Sequence, residues 1–294
     1  APNDSYAQSN TNTDGGFTSF DIDGFTLGKG SSTSNADAPY QRNNANSATY
    51  VAWCWKAGGA TTVANTDGSI ASAVSVNKEA GFSIVTYTGT NGNGTFGHGL
   101  GKAPKWIVIK RLETASNWAV YHESIGNTKR LYLDGSAGSA SSSNWWNNTS
   151  PTSTTVSVGT DAGHNGSTDG YVAYCWAEIP GYSKFGSYKG NGSTDGTYVH
   201  LGFKPAFIIT KWTNGTGSWF IFDNKRNGYN ETEPYVMSNS SNGDATDLGW
   251  DILSNGFKNR NSYAATNGSG GTFVYMAFAE QPAVSSFTTM INAR

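Results

Sequence analysis

The chain repeats itself, and this constrains its fold more than any single motif. GFSIVTYTGTNGNGTFGHGLGKAPKWIVIKRLETASNWAVYHES from Gly81 and GYSKFGSYKGNGSTDGTYVHLGFKPAFIITKWTNGTGSWFIFDNK from Gly181 show the same order of events at an offset of roughly 100 residues. Pro104 matches Pro205, Lys110 matches Lys211, Trp118 matches Trp219 and Tyr121 matches Phe222. Each stretch closes on an aromatic segment, YVAYCWAEI from Tyr171 and FVYMAFAEQ from Phe273. A period of this length marks one supersecondary unit that buries its apolar face against the next.

The first 58 residues hold only the closing half of a unit. FTSFDIDGFTLGKG from Phe17 resembles LGWDILSNGFKNR from Leu248, and YVAWCWKAG follows from Tyr50. The expected organisation is a closing half at 1–58, a linker at 59–80 able to carry one strand, repeat units at 81–180 and 181–282, and a tail at 283–294. The opening at Ala1 without Met is expected to reflect processing, artificial trimming or a mature fragment.

Within a unit, KWIVIK, FIITKW, SWFIFD and VAYCW are short β-branched and aromatic runs bounded by Gly, Asn, Pro or Asp, which are strand signals. Asn-Gly steps at Asn91, Asn165, Asn191, Asn214, Asn227, Asn242, Asn255 and Asn267 supply residues that tolerate positive φ in tight hairpins. No segment sustains a 3.6-residue apolar period. The expected class is all-β, tandem β-sandwich repeats, with jelly-roll and immunoglobulin-like strand orders equally compatible.

Composition narrows the partners. The 294 residues are 36% hydrophobic and 13% aromatic, enough to fill cores, and 14% charged with a net charge of -2. There is no basic stripe for phosphate, so nucleic acid is not an expected partner. No apolar run reaches the ~20 residues of a membrane-spanning helix, and no membrane insertion is expected. Sequons such as those at Asn93, Asn147, Asn148 and Asn230 follow from the abundance of Asn, Ser and Thr and carry little weight.

The candidates for chemistry are scattered. Cys54 and Cys175 fall at one position of matching segments, where the third copy has Ala277, so both are read as reduced and structural at a small buried site. His98, His122, His164 and His200 show no zinc-ligand spacing, and the Asp-Gly steps at Asp67, Asp134, Asp169 and Asp195 match no calcium loop; no metal and no cofactor are expected. Glu113, Glu123, Asp161 and Glu178 lie in no glycosidase motif, and no G-x-S-x-G elbow occurs. Groups that recur in every unit, such as Lys110 with Lys211 and Trp118 with Trp219, are read as packing and strand-end pairs, with the lysine stem over the indole. Trp145 and Trp146, which the next unit does not repeat, are the candidate sugar-stacking platform.

YVAWCWKAGG, GFSIVTYTG, HGLGKAPKWIVIKR, WNNTSPTS, YVAYCWAEIPGYSKFGSYKGNGSTDGTYV, GFKPAFIITK, DILSNGFK and YMAFAEQP resemble, across nearly the whole chain, a repeated domain of unknown function from tailed-bacteriophage virion proteins. Copies of that domain often follow a concanavalin A-like lectin domain, and the copy ending in YVAWCWKAGG is normally preceded by its own opening half. The resemblance supplies no catalytic residue. It implies a non-enzymatic structural protein of the virion, on the outside of the particle: a tail-fibre or appendage component forming a stalk or host-contact surface as a homo-oligomer. A carbohydrate-binding adhesin that meets a host-surface glycan, and a subunit of an extracellular helical filament, are the alternative expectations.

Overall fold

In the computed structural model the described residues are 4–8, 15–21, 24–29, 46–59, 61–227 and 229–280. They separate into two compact bodies, one of residues 8–54 and one that joins residues 1–7 to 55–294. The smaller body contains the antiparallel hairpin β1 (Gly15–Phe20) and β2 (Phe25–Lys29), with Phe20 opposite Phe25 and an irregularity between Phe17 and Ser19. The rest of the proposed 1–58 half unit falls largely outside the described residues.

The larger body is all-β and carries the repeat. Its first half comprises β3 (Val63–Asn65), β4 (Ser72–Asn77), β5 (Phe82–Thr88), β6 (Gly94–Gly97), β7 (Trp106–Arg111), β8 (Ala119–His122), β9 (Lys129–Tyr132), β10 (Ala140–Ser141), α1 (Ser143–Trp146), β11 (Thr155–Val158), α2 (Ala162–Asn165) and β12 (Gly170–Trp176). Its second half comprises β13 (Ser183–Lys189), β14 (Tyr198–His200), β15 (Phe207–Trp212), β16 (Trp219–Asp223), β17 (Val236–Met237), β18 (Trp250–Leu253), β19 (Gly256–Asn259), α3 (Ala264–Asn267) and β20 (Thr272–Phe278). The main sheets have the same core order, β5-β12-β7-β8-β9 in one repeat and β13-β20-β15-β16-β17 in the other. The facing sheets also match, β11-β6 and β14-β19-β18. All strand pairs inside these sheets are antiparallel.

Alternation along the strands explains the layers. In β5 the side chains of Val85 and Tyr87 point inward while Thr86 and Thr88 do not face that core. They meet Phe96, Val156 and Val158 from the facing sheet, together with Ile107, Ile109, Tyr121 and Tyr171. Tyr188, Phe220, Phe222, Trp250, Phe257 and Phe273 form the equivalent core of the second repeat. The expected small buried position is occupied by Cys175 and Ala277, both 0% exposed, each on the central strand of its sheet. Both cysteines are free; Cys175 is buried as expected, whereas Cys54 is exposed, contrary to the small buried site read for it.

The stretch 59–80 differs from a linker. It supplies β3 and β4, and β4 pairs along its length with β5, extending the first main sheet to eight strands. Ser72 and Val74 lie buried on one face of β4, while Ser75, on the other face, is buried with its hydroxyl donating to Gly59 O. The Asn-Gly steps also differ from expectation. Among the described ones, only Asn91 has positive φ. Asn165 and Asn267 instead end short helices and are fully buried.

Candidate functional site

Among the described residues, the repeated lysine and tryptophan act together at the seam between repeats. At the end of β15, Lys211 is fully buried and its Nζ donates to the carbonyls of Ser136, at 2.7 Å, and Gly217, at 2.5 Å. Gly217 N donates to the same Ser136 carbonyl at 2.9 Å. Trp219, at the start of β16, donates its indole Nε1–H to the Tyr132 carbonyl at 2.8 Å. Thus the turn that follows β9 in the first repeat is gripped by a lysine and a tryptophan of the second. Burial without a counter-charge pushes the Lys211 ammonium down from its ordinary value to about 8.

The same grip occurs one repeat earlier. Lys110 Nζ donates to Ser5 O at 3.0 Å and to Ser116 O at 2.8 Å, Ser116 N donates to Ser5 O, and Trp118 Nε1 donates to Asp4 O at 3.0 Å. The residues that follow β9 and β17 have the same partner pattern too: Asp134 Oδ1 accepts from Trp118 N, and Asn239 Oδ1 accepts from Trp219 N. Residues 4–5 therefore stand to the first repeat as residues 132–136 stand to the second. The pairing of lysine and tryptophan was expected; their joint purpose was not visible, since the gripped turn lies about 80 residues upstream of Trp219. Lys110 Nζ does lie 5.9 Å from the Trp118 ring centroid.

Further contacts seal the second seam. Trp106 meets Trp219 edge-on at 5.4 Å between centroids, a geometry favoured by aromatic quadrupoles. His122 Nε2 donates to Tyr275 O at 3.1 Å while its Nδ1 accepts from Ser124 N, so the neutral ring uses both nitrogens. Burial pushes its pKa down to about 4. Ser139 donates to Thr213 O, and Ser238 to Leu133 O. Trp219 is 0% exposed, whereas Trp118 is half-buried.

Trp145 and Trp146 are not a sugar platform: they are 2% and 1% exposed. Trp145 stacks on His164 at 4.6 Å with Arg130 over its ring, and Trp146 sits edge-on to Tyr121 and donates to Lys129 O. They fill the core on α1, just before β11, where the second repeat uses Trp250 of β18, just before β19. In the next unit a strand, β18, stands at that point of the element order, and Trp250 is its core tryptophan.

The remaining candidates do not converge. Glu113 accepts from Gly170 N, Asp161 caps α2 by accepting from Gly163 N, and Glu123 and Glu178 are drawn together only through Lys105, at 3.0 and 3.7 Å. Asp169 pairs with Arg111, and Asp195 with Lys258. Among the described residues no three His, Cys, Asp or Glu side chains group as metal ligands. No helix there is long and apolar enough to cross a membrane. Two residues that the sequence offered as turn formers and as sequons prove central to the packing. Asn165 Nδ2 donates to Gly92 O and Gly159 O while its Oδ1 accepts from Thr90 N. Asn267 similarly bonds Asn191, Ser193 and Asn261.

The chain matches, over residues 1–282, the family described as a domain of unknown function, DUF7483. The chain belongs to this family. The DUF7483 match takes in the smaller body as well as both complete repeats, so the grips on residues 4–5 and on 132–136 both fall within it. No curated protein and no solved structure matches the chain.

Proposed function

We propose that this chain is a non-catalytic structural protein of a phage virion, a tail-fibre or appendage component that forms a stalk or host-contact surface outside the cell as a homo-oligomer. The observation that supports this reading best is the lysine–tryptophan grip, used twice in one chain. A fully buried ammonium and indole committed to backbone carbonyls of the preceding segment are means of locking units in series. Such locking suits a part that transmits load and has no cleft to open. The resemblance to tailed-phage virion proteins supplies the biological setting. With both tryptophans of the expected sugar platform inside the core, no observation favours the adhesin reading over this one.

The test is direct. Antibodies against the purified chain should decorate the fibres or appendage of the intact particle in electron micrographs, and multi-angle light scattering should show a closed oligomer of fixed mass. Label confined to cell lysate, or an open polymer whose mass grows with concentration, would refute the assignment; the polymer would favour an extracellular filament.

A further inference from the structure

The acceptor turn of the seam occurs once more, in the second repeat. The strand pairings put both repeats in one register, with Ala119 opposite Tyr132 and Phe220 opposite Met237. Residues 237–243 therefore repeat residues 132–138, with Ser241 for Ser136 and Gly243 for Gly138. The turn itself is the same. Gly135 N donates to Tyr132 O at 3.2 Å and Ser240 N to Met237 O at 3.3 Å, and Asp134 and Asn239 each accept from the backbone N–H of their repeat's tryptophan.

What differs is the cover. The turn at 132–138 is filled by the second repeat: Trp219 donates to Tyr132 O, and both Lys211 Nζ and Gly217 N donate to Ser136 O. A β-carbon at Gly138 would lie 2.8 Å from the carbonyl oxygens of Thr213 and Gly215, so only glycine fits there. At 237–243, among the described residues, Met237 O accepts no indole N–H, Ser241 O accepts no hydrogen bond, and a β-carbon at Gly243 would meet no atom within 4 Å. Residues 241–244 are exposed. The turn is nevertheless held in the gripped shape, since the buried Ser238 donates its hydroxyl to Leu133 O and Asn239 Nδ2 donates to Ser218 Oγ at 3.3 Å. A preformed acceptor loses little freedom on binding.

The order of the series indicates the occupant. The β7–β8 hairpin of the first repeat grips residues 4–5, and the β15–β16 hairpin of the second grips 132–136. In both, the lysine stands eight residues before the tryptophan. Each hairpin is thereby committed to the turn before it, and 237–243 is the next turn in line. Bare carbonyl oxygens call for donors, which an ammonium and an indole N–H are.

We propose that residues 237–243 are a docking surface for the opening hairpin of a further unit of this kind, a β-hairpin with lysine and tryptophan eight residues apart, whose ammonium meets Ser241 O and whose indole meets Met237 O. Gly243 admits the turn of that hairpin as Gly138 admits residues 213–215. The inference rests on the grip as a lock in series, the reading given above, and names what the lock takes next.

The probe is a peptide of residues 104–123, which contains Lys110 and Trp118, cyclised head to tail; its ends are neighbours in the native hairpin, where Glu123 N donates to Lys105 O at 2.9 Å. Isothermal titration into the full-length chain should show saturable 1:1 binding. Gly243→Val meets open space in the free chain and should leave its unfolding midpoint unchanged, yet weaken binding at least about tenfold. The peptide with Lys110→Met and Trp118→Ala should lose as much. Because a lone hairpin is only marginally ordered, trapping gives a second measurement. Thr114 is the counterpart of Gly215, so under mild oxidation Gly243→Cys should capture the Thr114→Cys peptide, with the disulfide mapped to position 243. The proposal is overturned by the absence of both saturable binding and capture at 243, by binding that ignores Gly243→Val, or by capture at Cys54 in its place. It is overturned too if the chain alone associates in light scattering and Gly243→Val lowers that mass, because the occupant is then a second copy. Labelling of intact particles is independent of all these results, so the virion assignment stands or falls separately.

Discussion

Lys211 allows the energetics of the seam to be measured by pH alone. Its Nζ is buried, serves two carbonyls and has a pKa pushed down to about 8. The unfolded chain, with a value near 10.4, therefore holds the proton more tightly, and the charged form opposes folding by about 3 kcal/mol below pH 8. That penalty fades as pH rises from 8 toward 10.4, so the folded state should gain about 2 kcal/mol between pH 7 and 9.5 from this residue. Lys211→Met removes the titration and leaves Gly217 O without its donor, while Ser136 O keeps the Gly217 N–H. One stranded acceptor costs about 1–3 kcal/mol, close to what removing the buried ammonium returns, so the variant at pH 7 should lie within about 2 kcal/mol of the parent. Urea unfolding followed by tryptophan fluorescence at the two pH values measures both quantities. Tyr87 and Tyr188, whose burial pushes their hydroxyls up, are common to both proteins and cancel in the comparison. A variant that gains as much as the parent at pH 9.5, or that loses more than about 4 kcal/mol at pH 7, would refute the reasoning.

Three other outcomes are expected. Because the folded pKa of His122 lies below the unfolded value, its contribution is fully present above pH 6.5 and is lost as pH falls toward 4, by about 2 kcal/mol at pH 5; urea melts of His122→Gln should show a shallower acid slope than the parent, and equal slopes would contradict this. Trp219→Ala should cost about 3–5 kcal/mol and Trp118→Ala distinctly less, since only Trp219 is fully enclosed; denaturant titration giving the reverse order would be inconsistent with the seam described. Asn165→Ala strands Gly92 O, Gly159 O and Thr90 N and should cost about 3 kcal/mol or more, whereas a loss below 1 kcal/mol by calorimetry would mean that solvent replaces the amide.

The strands were legible where a period of two met a recurring frame: KWIVIK and FIITKW became β7 and β15, and the aromatic closing segments became β12 and β20. A strand within 59–80 was allowed for but could not be placed, because SAVSVN has little apolar contrast and β4 is held in place by pairing with β5. Trp145 and Trp146 misled for a different reason. A four-residue helix shows no period, so nothing local reveals that both tryptophans of α1 are buried. The lysine grip could be located but not interpreted, since its acceptors are backbone carbonyls, which carry no residue identity. The buried asparagines look like turns for a related reason: Asn-Gly favours a turn, and tertiary hydrogen bonding decides otherwise.

Those asparagines bear on how the protein can be produced. Asn165 and Asn267 each begin an Asn-Gly-Ser sequon, yet both are fully enclosed with their amide nitrogens committed to backbone carbonyls. Glycosylation in a eukaryotic secretory pathway would attach a bulky sugar to the nitrogen that must later sit in the core. Chains modified there should fail to fold and be retained, so secreted yield should rise when Ser167 and Ser269 are changed to Ala, whereas bacterial expression should be indifferent to the change.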